Sequence, residues 1–222
     1  TYYAKDNTGC VSFDAISVSE PSQITMSLTQ TADVKCNGDQ NAAVKINASG
    51  GTGGFTYSLD NVTFSANDSI TGLGAGNYTV YVKDANDCVA SDNITITEPG
   101  VLSISMTPFE DNLCFGDQAA SITMMASGGT TPYKYSIDGI TYTTNPDFEN
   151  YGAGMYTIYV EDANGCEASS QITITEPDEL VATLSVSAGI TCFGESDGEI
   201  TVTASGGTGT KEYSLDGTIF QS

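Results

Sequence analysis

One interval governs this chain: its distinctive residues recur every 78 positions. Cys10, Cys88 and Cys166 keep that step, and so do Cys36, Cys114 and Cys192. Glu20-Pro21, Glu98-Pro99 and Glu176-Pro177 follow it, as do Gly50-Gly51, Gly128-Gly129 and Gly206-Gly207. Residues 22–99 set against 100–177 without a gap share 37 of 78 positions. A catalytic constellation is refined once around one reacting centre, whereas a gapless array suits a length-setting or multivalent structure. The period divides the 222 residues into 1–21, the C-terminal part of a repeat; 22–99 and 100–177, two complete repeats; and 178–222, the N-terminal part of another. The expectation is a segment of a much longer polypeptide.

Six Lys or Arg against 28 Asp or Glu give a formal charge of −22. That balance speaks against nucleic acid and anionic membrane surfaces, both of which select basic patches. Acid spread over every repeat keeps a long polymer soluble. No stretch reaches the ~20 apolar residues of a membrane-spanning helix, so membrane insertion of this segment is not expected. Cysteines at strictly repeating positions read as disulfides and an extracellular location. Zinc is the competing reading, but the chain has no His, and its nearest cysteines are 26 residues apart. Without His, no Ser/His/Asp or Cys/His nucleophile can be assembled. No enzyme activity, catalytic residue or cofactor-binding residue is expected.

Alternation of apolar and small polar residues runs through each unit. In 156–160 (YTIYV), Tyr156, Ile158 and Val160 share one face, and 199–204 (EITVTA) repeats the pattern. Thr, Val, Ile and Tyr suit a half-buried pleated surface. Turn residues fall between the runs: Ser-Gly-Gly-Thr, Asp-Gly at 138–139 and 216–217, and Asp-Ala-Asn-Gly at 162–165. The unit 100–177 is expected to carry about seven strands, at 101–107, 120–126, 133–137, 140–144, 147–150, 155–161 and 167–175. The predicted fold is all-β, a tandem array of immunoglobulin-like β-sandwich repeats stacked end to end. Gly-Ala-Gly-Xaa-Tyr at 74–78 and 152–156 has the form of a tyrosine corner, with Tyr78 and Tyr156 bonding back to nearby backbone.

Residues 192–217 (CFGESDGEITVTASGGTGTKEYSLDG) and 153–177 (AGMYTIYVEDANGCEASSQITITEP) resemble the SprB repeats of Bacteroidota gliding and cell-surface adhesins. The resemblance covers the whole chain, with Asp87 in place of the turn Gly and Asn37 in place of the Phe after Cys36. It implies a very long secreted surface protein, exported by the type IX system and serving gliding motility or attachment. It assigns no catalytic residue to the repeats.

In an immunoglobulin-like topology, the cysteine before the second strand and the one before the last strand lie at opposite poles. Seven strand residues at ~3.3 Å each separate the poles by more than ~20 Å, whereas a disulfide needs Cα atoms within ~7 Å. The short Glu-Pro linker stacks units end to end, so the leading expectation is an inter-repeat bond, Cys36 with Cys166. Cys10, Cys88, Cys114 and Cys192 then pair outside this segment. In-repeat pairs (Cys36–Cys88, Cys114–Cys166), a linker-spanning pair (Cys88–Cys114) and free thiols remain open.

The structural stalk of an adhesin, holding a binding tip away from the cell, is the leading function. Its partners are neighbouring repeats, with external surface or polysaccharide bound elsewhere in the protein. The rival is a multivalent glycan- or surface-binding module using Tyr3, Tyr81 and Tyr159, one per repeat. Those tyrosines also fit the outward face of a strand. Asp84 to Asp87 and Asp162 to Gly165, with Glu98 and Glu176, could offer oxygens to Ca2+ at a repeat joint; a solvated acidic turn is the favoured reading. Residues 195–199 (ESDGE) lack calcium-loop spacing. Asn-x-Ser/Thr at Asn47, Asn61, Asn67, Asn77 and Asn93 is frequent by chance in an Asn- and Thr-rich chain. Asp68-Ser69-Ile70 resembles a Bacteroidota O-glycosylation site at Ser69, which Pro146-Asp147-Phe148 does not keep.

Overall fold

The computed structural model describes residues 1–107, 109 and 111–222. It contains strands and no helix among the described residues, in the order β1 (Tyr2–Lys5), β2 (Val11–Asp14), β3 (Thr25–Ala32), β4 (Ala42–Ser49), β5 (Thr56–Ser58), β6 (Ser69–Leu73), β7 (Gly76–Lys83) and β8 (Val89–Ile96). There follow β9 (Ser103–Met106), β10 (Ala120–Ser127), β11 (Lys134–Ser136), β12 (Asp147–Tyr151), β13 (Gly154–Glu161), β14 (Glu167–Ile174), β15 (Val181–Ala188) and β16 (Glu199–Ser205). Two compact units result, Thr1–Glu98 and Pro99–Ser222.

Each complete repeat is a pair of three-stranded antiparallel sheets. In the first unit these are β3-β4-β6 and β5-β7-β8; in the second, β9-β10-β12 and β11-β13-β14. The hairpins β1-β2 and β15-β16 carry the same periodic sequence. Alternation decides which side chains go inside. Along β10, Ala120, Ile122 and Met124 are buried, and they meet Ile158 and Val160 of β13 and Ile172 and Ile174 of β14 in one core. The first unit repeats this with Ile46, Val80 and Val82 and with Val44, Leu73 and Ile96. Side chains of both sheets therefore share one interior, the arrangement of an immunoglobulin-like sandwich.

One expected strand is missing. Residues 140–144 form no strand, and only the bridge Tyr135↔Thr143 remains there, leaving six strands per complete repeat among the described residues. The turn is the reason. The Asp138 carboxylate accepts from the N–H groups of Ile140 and Thr141, each at 2.8 Å, and from the Ser136 hydroxyl at 2.8 Å. Those amides are engaged by the turn and are not free for a ladder. Asp60 does the same for Val62 and Thr63, and Asp216 for Thr218 and Ile219.

Tyr78 donates its hydroxyl proton to the Gly74 carbonyl at 3.1 Å, and Tyr156 does so to Gly152 at 3.1 Å. Each ties the start of its strand to the turn before it.

Candidate functional site: the two poles of the repeat

The strands of a repeat end at two poles, and the residues with chemical character collect there. At the entry pole the chain arrives, the β4–β5 and β7–β8 turns meet, and a buried aspartate joins them. Asp84 Oδ2 accepts from the Thr52 amide at 3.0 Å and the Thr52 hydroxyl at 2.9 Å. Its Oδ1 accepts from the amides of Asn86 and Cys88, both at 2.9 Å. Asp162 repeats this with Thr130 (2.8 Å), Asn164 (2.8 Å) and Cys166 (2.9 Å). Burial raises the carboxyl pKa of both aspartates, but the N–H donors outweigh it and hold each below the usual carboxylate range. Glycine is required opposite. A Cβ on Gly129 would lie 2.7 Å from Asp162 Oδ2, and its φ of +57° is one that L side chains rarely adopt.

The exit pole holds the β3–β4 turn and the outgoing Glu-Pro. Asp39 N–H donates to the Cys36 carbonyl at 3.0 Å, and the Asp39 carboxylate accepts the Cys36 N–H at 3.3 Å. The Gly38 amide, left over by this turn, donates to Glu98 Oε2 at 2.7 Å. In the second repeat Asp117 caps Cys114 at 3.0 Å, and Gly116 donates to Glu176 Oε2 at 2.8 Å.

Cys36 therefore sits at the exit pole and Cys88 at the entry pole, the two separated by strands of 8 residues, a span of ~25 Å. Cys114 and Cys166 are divided in the same way. Cys10, Cys88, Cys114 and Cys192 are exposed free thiols. Cys36 and Cys166 are half-buried and disulfide-bonded. The in-repeat pairs Cys36–Cys88 and Cys114–Cys166 fail on this distance, since both would have to cross a whole sandwich. Cys88 and Cys114 are not bonded to each other in this chain.

The other candidate residues are dispersed. Asp84 and Glu98 occupy opposite poles of one repeat, and their oxygens take up the donors named above. Among the described residues, no three His, Cys, Asp or Glu side chains gather in a way that could hold a metal ion. Asp197, in the 195–199 run, accepts from the Thr191 amide at 3.1 Å. Tyr81 and Tyr159 are half-buried, and the Tyr159 ring packs so near Gly139 that a Cβ there would approach it to 3.2 Å. Tyr3 is 71% exposed and leans on Phe13 with ring centroids 5.8 Å apart. No helix among the described residues is long and apolar enough to cross a membrane.

The sequence had signalled the cysteines and Tyr78. It gave less warning of Asp84 as the tie between two turns, or of Glu98 as the partner of a glycine amide. The available signal was that Gly-Gly-Thr and Asp-Ala-Asn repeat together, as do Cys-x-Gly-Asp and Glu-Pro.

The SprB repeat family matches residues 28–64, 106–141 and 184–218, one match at each of three successive periods. The chain carries SprB-type repeats. No curated protein matches it. Among solved structures it is similar to the C-terminal 282-residue fragment of intimin in complex with the intimin-binding domain of the translocated intimin receptor. That match has 14% identity and a TM-score of 0.37, over 72% of this chain and 67% of that one. It is also similar to fibronectin(III)-like modules of Clostridium thermocellum CbhA, at 13% identity and a TM-score of 0.31, over 68% of this chain and 94% of that one. SprB repeats on all-β sandwich domains are typical of extracellular surface proteins, and they point to a structural role.

Proposed function

We propose that these repeats form the stalk of a long secreted bacterial surface adhesin, in gliding motility or attachment, which holds a binding tip away from the cell. The observation that carries this reading is the sorting of the cysteines. Each complete repeat has one at its exit pole and one at its entry pole, and Cys36 and Cys166 alone are oxidised among the six. In this reading Cys36 of one repeat bonds Cys166 of the next, and Cys10, Cys88, Cys114 and Cys192 do the same with repeats beyond this segment. Such a bond staples consecutive domains rather than bracing one fold, so each joint resists bending as well as extension. Short Glu-Pro linkers serve the same purpose, and the acidic surface keeps a long array soluble. Surface or polysaccharide is engaged by other parts of the protein. The half-buried Tyr81 and Tyr159, with the Tyr159 ring packed on the turn at Gly139, leave little open aromatic face for a sugar on the repeats.

The test is peptide mapping under non-reducing conditions. A crosslinked peptide joining Cys36 to Cys166, with the other four cysteines alkylatable, is the expected result. Any bond within a single repeat would overturn the staple.

A further inference from the structure

The Glu-Pro linker carries an acid for which the stalk reading has no role, and its geometry assigns one. Glu98 Oε2 lies 2.7 Å from the Gly38 amide, and Glu176 Oε2 lies 2.8 Å from the Gly116 amide; each spans 60 residues of sequence. The arrangement thus occurs twice, in two repeats that differ at more than half of their positions.

The chemistry explains why this acid should be selected. The turn Cys36-Asn37-Gly38-Asp39 closes by its own i to i+3 backbone bond and by the Asp39 carboxylate on the Cys36 amide. Gly38 takes a φ of +84°, the third position of a turn that requires a left-handed residue. Its amide then points out of the turn and has no partner within it. A carboxylate accepting an N–H makes a stronger bond than a neutral acceptor does. Pro99 adds a second restraint, because the residue before a proline is confined to extended conformations. The side chain of Glu98 is thus fixed to the turn and its backbone is fixed by the proline. Glu98, next to last in its repeat, is anchored to Gly38, two residues from Cys36.

We infer that Glu98 and Glu176 are positioning residues. They lock the linker onto the cysteine-bearing turn, setting the direction in which one repeat leads into the next and presenting the exit-pole cysteine to its partner. The second role rests on the stapled-stalk reading; the first does not.

The experiment uses the whole chain Thr1–Ser222 with Glu98→Ala and Glu98→Gln, the latter keeping an acceptor oxygen. Each is made in the native background and in a Cys36→Ser/Cys166→Ser background that cannot form the staple. In the second background, Glu98→Ala should speed hydrogen exchange of the Gly38 amide about tenfold. It should also widen the distribution of inter-repeat orientations seen by residual dipolar couplings, with the melting temperature of the repeats unchanged. In the native background, re-forming the Cys36 disulfide after reduction should slow by about three- to tenfold. Glu98→Gln should restore most of each property. Unchanged exchange and orientation in the staple-free Glu98→Ala protein would overturn the inference whatever the cysteine map shows. Loosened orientation together with no Cys36–Cys166 peptide would overturn the staple and leave Glu98 as the anchor of the joint.

Discussion

Asp162 is 2% exposed, a position that costs a carboxylate dearly unless donors surround it. Its surroundings supply the amides of Thr130, Asn164 and Cys166, and Gly129 leaves the space. Replacing Asp162 by Ala removes the tie between two turns and strands three amides, so the melting temperature should fall by about 5–10 °C. Gly129→Ala should act at least as severely, since the new methyl meets both the carboxylate and a left-handed backbone. Calorimetry on both variants checks this. Tyr156→Phe deletes only the bond to the Gly152 carbonyl; a loss of about 1 kcal/mol in urea denaturation is expected. Cysteines, glycines and this tyrosine were legible because each residue type has a narrow use. An aspartate in an acidic chain has many uses, so the sequence marks Asp84 and Asp162 only as parts of an acidic turn and does not single them out as ties between two turns.

At the scale of elements, strands buried on one face announced themselves by alternation, and β10, β13 and β14 stand close to where the pattern placed them. The segment 140–144 alternates too, yet its pattern could not reveal that Asp138 takes up the amides of Ile140 and Thr141. Those donors, with the Ser136 hydroxyl, hold the Asp138 carboxyl at about 2, and Asp60 and Asp216 are depressed by the same kinds of bond. An unfolded aspartate titrates near ~4, so the folded form binds protons less readily and the turn's contribution is complete above about pH 4. It is lost as pH falls through the folded values. The melting temperature should therefore decline between about pH 4 and pH 2. Asp138→Asn should flatten that decline for the second repeat, as read by pH-dependent thermal melts.

For the molecule as a whole, core and crosslink serve different ends. The second repeat is held by Ile122, Met124, Ile158, Val160, Ile172 and Ile174, and none of its cysteines belongs to that core. Reduction should accordingly leave strand content by circular dichroism unchanged while softening the array in scattering or single-molecule bending measurements. The reverse result, repeats that melt when reduced but joints that stay stiff, would count against the stalk. The sequence period made the array and its cysteine register legible; the bond that closes the exit pole was not, because Glu98 and Gly38 lie 60 residues apart and each looks ordinary alone. That interval is shorter than the 78-residue period, and so is the tie from Asp111 to Thr175 at the exit pole of the second repeat, 64 residues apart. An insertion or loss of one full period therefore keeps both partners of each such tie within one repeat and joins equivalent turn and cap positions at the seam. The array can thus change length by whole repeats with each exit-pole closure kept inside its own repeat.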